Sequence, residues 1–149
     1  MADKDYIVVV QCHTVKERCA GYFCEKAFRE RTGGFADYPK EKPYRFLTLT
    51  CGGCSGKATL RKLTNLLRCL KKHEGIERDR VVVHLSSCIT QDNFHSPRCL
   101  FADYIKTLVA RARLDVREDT HISPVAEKRR KEGVYGRREG GGPSVRRDA

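Results

Sequence analysis

Eight cysteines carry most of the chemical potential of this chain, at positions 12, 19, 24, 51, 54, 69, 88 and 99. The densest signal is the run Cys51-Gly52-Gly53-Cys54-Ser55-Gly56-Lys57. A C-x2-C pair lets two sulfurs face one ion or each other. Glycines between them carry no Cβ, so the turn can tighten and aim backbone N–H groups at a sulfur. Lys57 adds positive charge that favours thiolate over thiol, and thiolate is the form that binds metal or attacks. The Gly56-Lys57 pair also hints at a phosphate-binding loop. That reading fails, because Cys51 stands where the first glycine belongs and Ala58 where magnesium needs Ser or Thr.

The elements that must position these thiols alternate between strand and helix. Tyr6-Ile7-Val8-Val9-Val10-Gln11 is apolar without alternation, as a strand covered on both faces should be. Arg45–Thr50 and Val81–Leu85 read as two more strands, and Leu114–Arg117 as a weaker one at an edge. Between them, Ala20, Phe23, Cys24, Ala27 and Phe28 share one helical face, with Gly33-Gly34 as the stop. Leu60, Leu63, Leu66, Leu67 and Leu70 mark a second helix ending near Gly75. Leu100, Phe101, Tyr104, Ile105, Leu108 and Val109 mark a third. This alternation implies parallel strands, right-handed crossovers and helices on both faces. The expected fold is a small three-layer αβα domain with a four-stranded, mostly parallel sheet.

On that map the chemistry converges. Cys12 follows the first strand, Cys51 the second, Cys88 lies just beyond the third and His121 just beyond the fourth. In an open parallel sheet these points share the carboxyl edge, where such sheets bind ligands. Cys19 lies in the loop or first turn within reach of the same edge, and Cys99 follows Pro97 near it. Cys24 falls on an apolar helix face, where core packing and ligation are both open. Cys69, mid-helix and far from the strand ends, reads as a partly buried structural residue. His84, inside a strand, reads as a buried and satisfied imidazole. His13 follows Cys12 and is placed to reach either the edge or solvent.

Length and composition bound the rest. A chain of 149 residues can bury a core without disulfides. No apolar run is long enough for a membrane span, and the N-terminal residues lack the pattern of an export signal. The expected location is therefore the cytoplasm, with the cysteines reduced. Residues 124–149 hold eight basic and four acidic side chains with few large apolar groups, the composition of a disordered basic tail. The folded domain is expected to span residues 1–123. The net charge of +11 suits phosphate contact, but charge is not diagnostic, and no aromatic stacking platform accompanies it. A solvated basic surface is the better account, and oligomeric state is not legible.

The ordered series Val10-Gln11-Cys12, Cys19 through Phe28, Arg31-Thr32-Gly33-Gly34-Phe35, Cys51-Gly52-Gly53-Cys54, His84 through Cys88, Cys99 and Thr120-His121 resembles the CGGC-domain family. The likeness covers roughly residues 5–122. Asp119 departs from it, standing where a glycine is expected. The resemblance implies metal binding, with zinc the implied ion, and supplies no reaction. Thiolates with or without histidine suit tetrahedral zinc, and the same donors suit an iron–sulfur cluster. The candidate ligands are Cys51, Cys54, Cys12, Cys88, Cys19, Cys24, Cys99 and His121. The competing reading is a thiol–disulfide oxidoreductase with Cys51 as nucleophile and Cys54 as resolving thiol.

Overall fold

A computed structural model describes residues 4–91 and 98–132. Four strands, β1 (Tyr6–Gln11), β2 (Arg45–Thr50), β3 (Val81–Leu85) and β4 (Asp115–Glu118), form one sheet in the order β2-β1-β3-β4. Every neighbouring pair is parallel. The central strands β1 and β3 are buried along their whole length, which is why they read as unbroken β-branched runs. The edge strands β2 and β4 are half-exposed and accommodate Arg, Thr, Asp and Glu.

Among the described residues there are six α-helices: α1 (His13–Lys16), α2 (Tyr22–Glu30), α3 (Ala58–Glu74), α4 (Ser87–Thr90), α5 (Ala102–Arg111) and α6 (Pro124–Lys131). One sheet face buries Val8, Val10, Val83 and Leu85 against Leu63, Leu67 and Leu70 of α3 and Ile105 and Val109 of α5. The opposite face buries Ile7, Val9 and Val82 against Ala27 of α2, Phe35 and Tyr38. Phe28 of α2 stacks on Phe46 of β2, with ring centroids 4.5 Å apart. Three layers around a parallel sheet are the expected architecture. No helix among the described residues is long and apolar enough to cross a membrane.

Three details differ from the sequence expectation. First, α2 is stopped by Arg31 in the left-handed conformation, not by the glycine pair. Gly33 and Gly34 instead let a short 3-10 turn lie against the end of β4. A Cβ on Gly34 would stand 2.2 Å from the Asp119 carbonyl oxygen. Second, α5 begins at Ala102, leaving Leu100 88% exposed and Tyr104 at the surface rather than in the core. Third, residues 124–131, expected to be tail, form α6. Ser123 caps it by accepting a hydrogen bond from the Ala126 amide at 3.2 Å, Pro124 occupies the first turn, and Ala126 is buried. Residues 133–149 of the expected tail lie outside the described residues.

The sheet order decides where a ligand would bind. The chain steps from β1 outward to β2, then returns past β1 to β3 and on to β4. Its direction reverses between β1 and β3, so their carboxyl ends form the switch-point crevice of the sheet.

Candidate functional site

The carboxyl edge is regular because the parallel ladder continues past the strands. The Cys51 amide donates to the Gln11 carbonyl at 3.0 Å, Ser86 to Val10 at 2.9 Å and Asp119 to Leu85 at 2.8 Å. Cys12, Cys51, Ser86 and Asp119 therefore leave the sheet side by side.

Cys12, Cys51 and Cys88 are buried in one continuous cluster, with Cys19 and Cys99 half-buried against it. Cys12 and Cys88 meet at the switch point, where the Cys12 amide donates to the Cys88 sulfur at 3.3 Å. The Cys88 thiol in turn donates to Ser86 Oγ at 3.4 Å. Burial pushes the Cys88 thiol up to about 12, against the lowering effect of its Ser86 and Cys12 hydrogen bonds. Burial also raises Cys12, opposed by the Val15 and Thr14 amides. Both therefore rest as neutral thiols when no cation is present.

The Cys51–Lys57 turn divides its two cysteines. Cys51 is buried, whereas Cys54 is exposed. Gly52 sits at φ +80°, and a Cβ there would lie 2.4 Å from Ala58 Cβ, so the turn can fold onto the start of α3 only with glycine. Lys62 of α3 fastens the end of β2 by donating to the Thr50 carbonyl at 2.9 Å and to its hydroxyl at 3.0 Å. His13 is exposed and also reaches the Thr50 hydroxyl, at 3.1 Å.

Cys24 is half-buried and takes part in a polar group that Ser86 Oγ joins to the Cys88 thiol. Its sulfur lies 3.2 Å from Thr120 Oγ1 and 3.5 Å from Ser86 Oγ. Thr120 is buried and donates its amide to Ser87 Oγ at 2.9 Å. His121 turns away from this group and stacks on Phe23, with centroids 4.8 Å apart. Burial first, and the Lys26 charge second, lower its pKa. Cys69 is exposed on α3 with its sulfur near Asn65, which corrects the partly buried position expected for it.

His84 is fully buried and satisfied. The Asp119 carbonyl can only accept, so Nδ1 carries the proton donated to it at 3.0 Å, and Nε2 accepts from the Tyr38 hydroxyl at 2.7 Å. Asp119 itself sits at φ +75°, which is the backbone reason a glycine is expected at this position. Its carboxylate accepts hydrogen bonds from Thr90 Oγ1 and, at 3.1 Å, from Gln91 Nε2. Sequence reasoning assigned nothing to Gln11, Ser86 or Thr120. The available signal was their place, polar side chains at the ends of apolar strands.

Among the described residues, no group of three or more His, Cys, Asp or Glu side chains is arranged to hold a metal ion. The edge gathers soft donors without closing a coordination shell. Comparison with known families gives a match to the CGGC domain over residues 6–121. The chain belongs to the CGGC-domain family. No curated protein and no solved structure matches it.

Proposed function

We propose that the cysteine edge is a metal site, with Cys12, Cys51 and Cys88 as buried donors and Cys54 completing the set from its exposed turn. The observation that carries the reading is the gathering of three buried cysteines just past the ends of three adjacent parallel strands, with the Cys12 amide on the Cys88 sulfur at the switch point. Membership of the CGGC-domain family supports it. The donor chemistry fits a soft or borderline cation such as zinc, and it fits an iron–sulfur cluster equally. The arrangement described is open, so loading requires the glycine-rich turn and the thiol rotamers to adjust. Cys19, Cys24, Cys99 and His121 stand around this set as further candidate donors. When bound, the ion would hold the thiols as thiolates, displacing the protons that burial otherwise retains.

The test is anaerobic purification followed by elemental analysis and a visible spectrum. About one equivalent of metal per chain is expected, colourless for zinc and brown for an iron–sulfur cluster. The Cys51→Ser, Cys54→Ser double variant should lose the metal, and Cys69→Ser should keep it. Equal metal content in the wild type and the double variant would defeat the reading.

A second reading rests on the contrast within the Cys51/Cys54 pair. The exposed thiol is Cys54 and the buried one Cys51, the reverse of the order expected for a Cys51 nucleophile. As a thiol–disulfide oxidoreductase, the protein would attack with Cys54 and resolve with Cys51. A reversible Cys51–Cys54 disulfide in metal-free protein, found by mass spectrometry after mild oxidation, would favour it.

A further inference from the structure

In the sequence, the +11 charge of the chain has no stacking platform beside it. The fold assembles one from remote segments. Tyr22 and Phe23 open α2, and their rings meet edge to face with centroids 5.2 Å apart. His121, from the segment after β4, stacks on Phe23 at 4.8 Å, with the two rings 22° from parallel. Helical spacing groups Phe23 with Ala27 and Phe28 on one apolar face, which predicts burial. Phe23 is instead 43% exposed, and Tyr22 is 57% exposed. Both rings keep apolar surface in water that contact with a partner would remove. Two cations flank them. Lys16 donates to the Ala20 carbonyl at 3.0 Å, and its ammonium would stand 2.9 Å from a Cβ on Gly21, the residue before Tyr22. Lys26, one turn along α2, lies near enough to His121 for its charge to join burial in lowering the imidazole pKa. Neither lysine has a carboxylate partner among the described residues, and the Glu25 carboxylate is engaged by Arg29 at 3.3 Å.

We propose that this surface binds single-stranded nucleic acid, with bases stacking on Tyr22 and Phe23 and phosphates meeting Lys16 and Lys26. The partner must be anionic, to match two lysines that no carboxylate neutralises, and it must carry flat apolar faces, to cover two exposed rings. A nucleic-acid strand has both in alternation. Rings this exposed do not enclose a small ligand as a concave pocket does, so a free nucleotide gains little here. A strand adds contacts along its length, and the excess of 30 basic over 19 acidic side chains favours its phosphates beyond the platform. A duplex keeps its bases stacked on one another and offers the rings nothing. The platform therefore converts a general attraction for polyanions into a preference for unpaired bases.

The experiment is fluorescence anisotropy of a labelled oligothymidylate of about 12 nucleotides, titrated with the full chain. Unlabelled competitors are the same strand, a duplex of equal length and inorganic polyphosphate of similar charge. The strand is expected to compete at least about fivefold better than the duplex or the polyphosphate, the low end of what one base on an aromatic ring is worth. Tyr22→Ala, at an exposed position, should weaken the strand by the same factor and leave polyphosphate binding unchanged. Tyr22→Phe should restore it, since the ring and not the hydroxyl does the stacking. Lys26→Met should weaken strand and polyphosphate alike, and should reduce the slope of log affinity against log salt by about 0.7 between about 50 and 200 mM. Far-ultraviolet circular dichroism and metal content should match the wild type in all three variants. Equal affinity for strand and polyphosphate in the wild type, duplex binding as tight as the strand, or wild-type strand affinity in Tyr22→Ala would overturn the proposal. The Cys51→Ser, Cys54→Ser variant should keep strand binding whether or not it loses metal, so this reading and the metal site fail separately.

Discussion

Asp119 shows how one residue can meet two demands that pull apart. Its backbone lies at φ +75°, where glycine is at ease, yet its carboxylate ties Thr90 and Gln91 to the end of β4. Asp119→Gly and Asp119→Ala both lose these bonds, but only alanine keeps the backbone strain. Alanine should therefore be less stable than glycine by about 1 kcal/mol. Urea unfolding of the two variants checks this, and coincident midpoints would contradict it. His84 gives a pH dependence. Burial, reinforced by the Arg117 charge and opposed by the Asp119 carbonyl, lowers its pKa from 6.5 to about 4. The unfolded chain then binds a proton that the folded chain does not. The His84 contribution is full above pH 6.5 and is lost as pH falls toward 4. The loss amounts to ~3 kcal/mol. Stability measured across this window should fall more steeply for the wild type than for His84→Phe.

At the scale of elements, α3 is held by its leucine stripe and not by its cysteine. Leu63 is fully buried under the sheet, so Leu63→Ala should cost about 2–5 kcal/mol. Cys69, exposed on the same helix, should tolerate serine within about 0.5 kcal/mol. Denaturant midpoints of the two variants make the comparison, and a large cost at Cys69 would show that it is covered in solution. The same scale explains the glycine pair after α2. Its position suggests a helix stop, but Arg31 already ends the helix, and the pair is required by the approach of its turn to the Asp119–Thr120 backbone. Contacts of this kind join segments distant in sequence, so no local pattern announces them.

For the whole molecule, helical structure continues past residue 123: α6 is capped by Ser123 and buries Ala126. A chain ending at residue 132 should keep the wild-type melting temperature, since residues 133–149 contain little apolar surface to bury. A chain ending at residue 123 should melt roughly 3 °C lower, for a loss of about 1 kcal/mol. Differential scanning calorimetry of the two truncations distinguishes them, and equal melting temperatures would place α6 outside the cooperative unit. Ser before Pro is a local helix-start pattern, but the basic, glycine-rich composition of residues 124–149 taken as one segment points the other way.

The amino-acid sequence by itself determined the strands, the three main helices and the parallel sheet, because hydrophobic periodicity records which side of each segment is buried. It also determined that Cys12, Cys51 and Cys88 leave the same edge, since parallel strands must all end there. Only the tertiary structure decided how deeply each thiol lies. Cys51 and Cys54 share one motif, yet one is buried and the other exposed, because Gly52 packs against α3 and Gly56 against Ile105 of α5, while Gly53 beside Cys54 meets nothing within 4 Å. Tertiary structure also brought the Cys12 amide onto the Cys88 sulfur, turned His121 onto Phe23 and left Gln11 Oε1 without a hydrogen-bond partner among the described residues. These outcomes depend on strand order and on the distances between packed layers. Both arise from contacts between remote segments, which the local spacing of residue types does not encode.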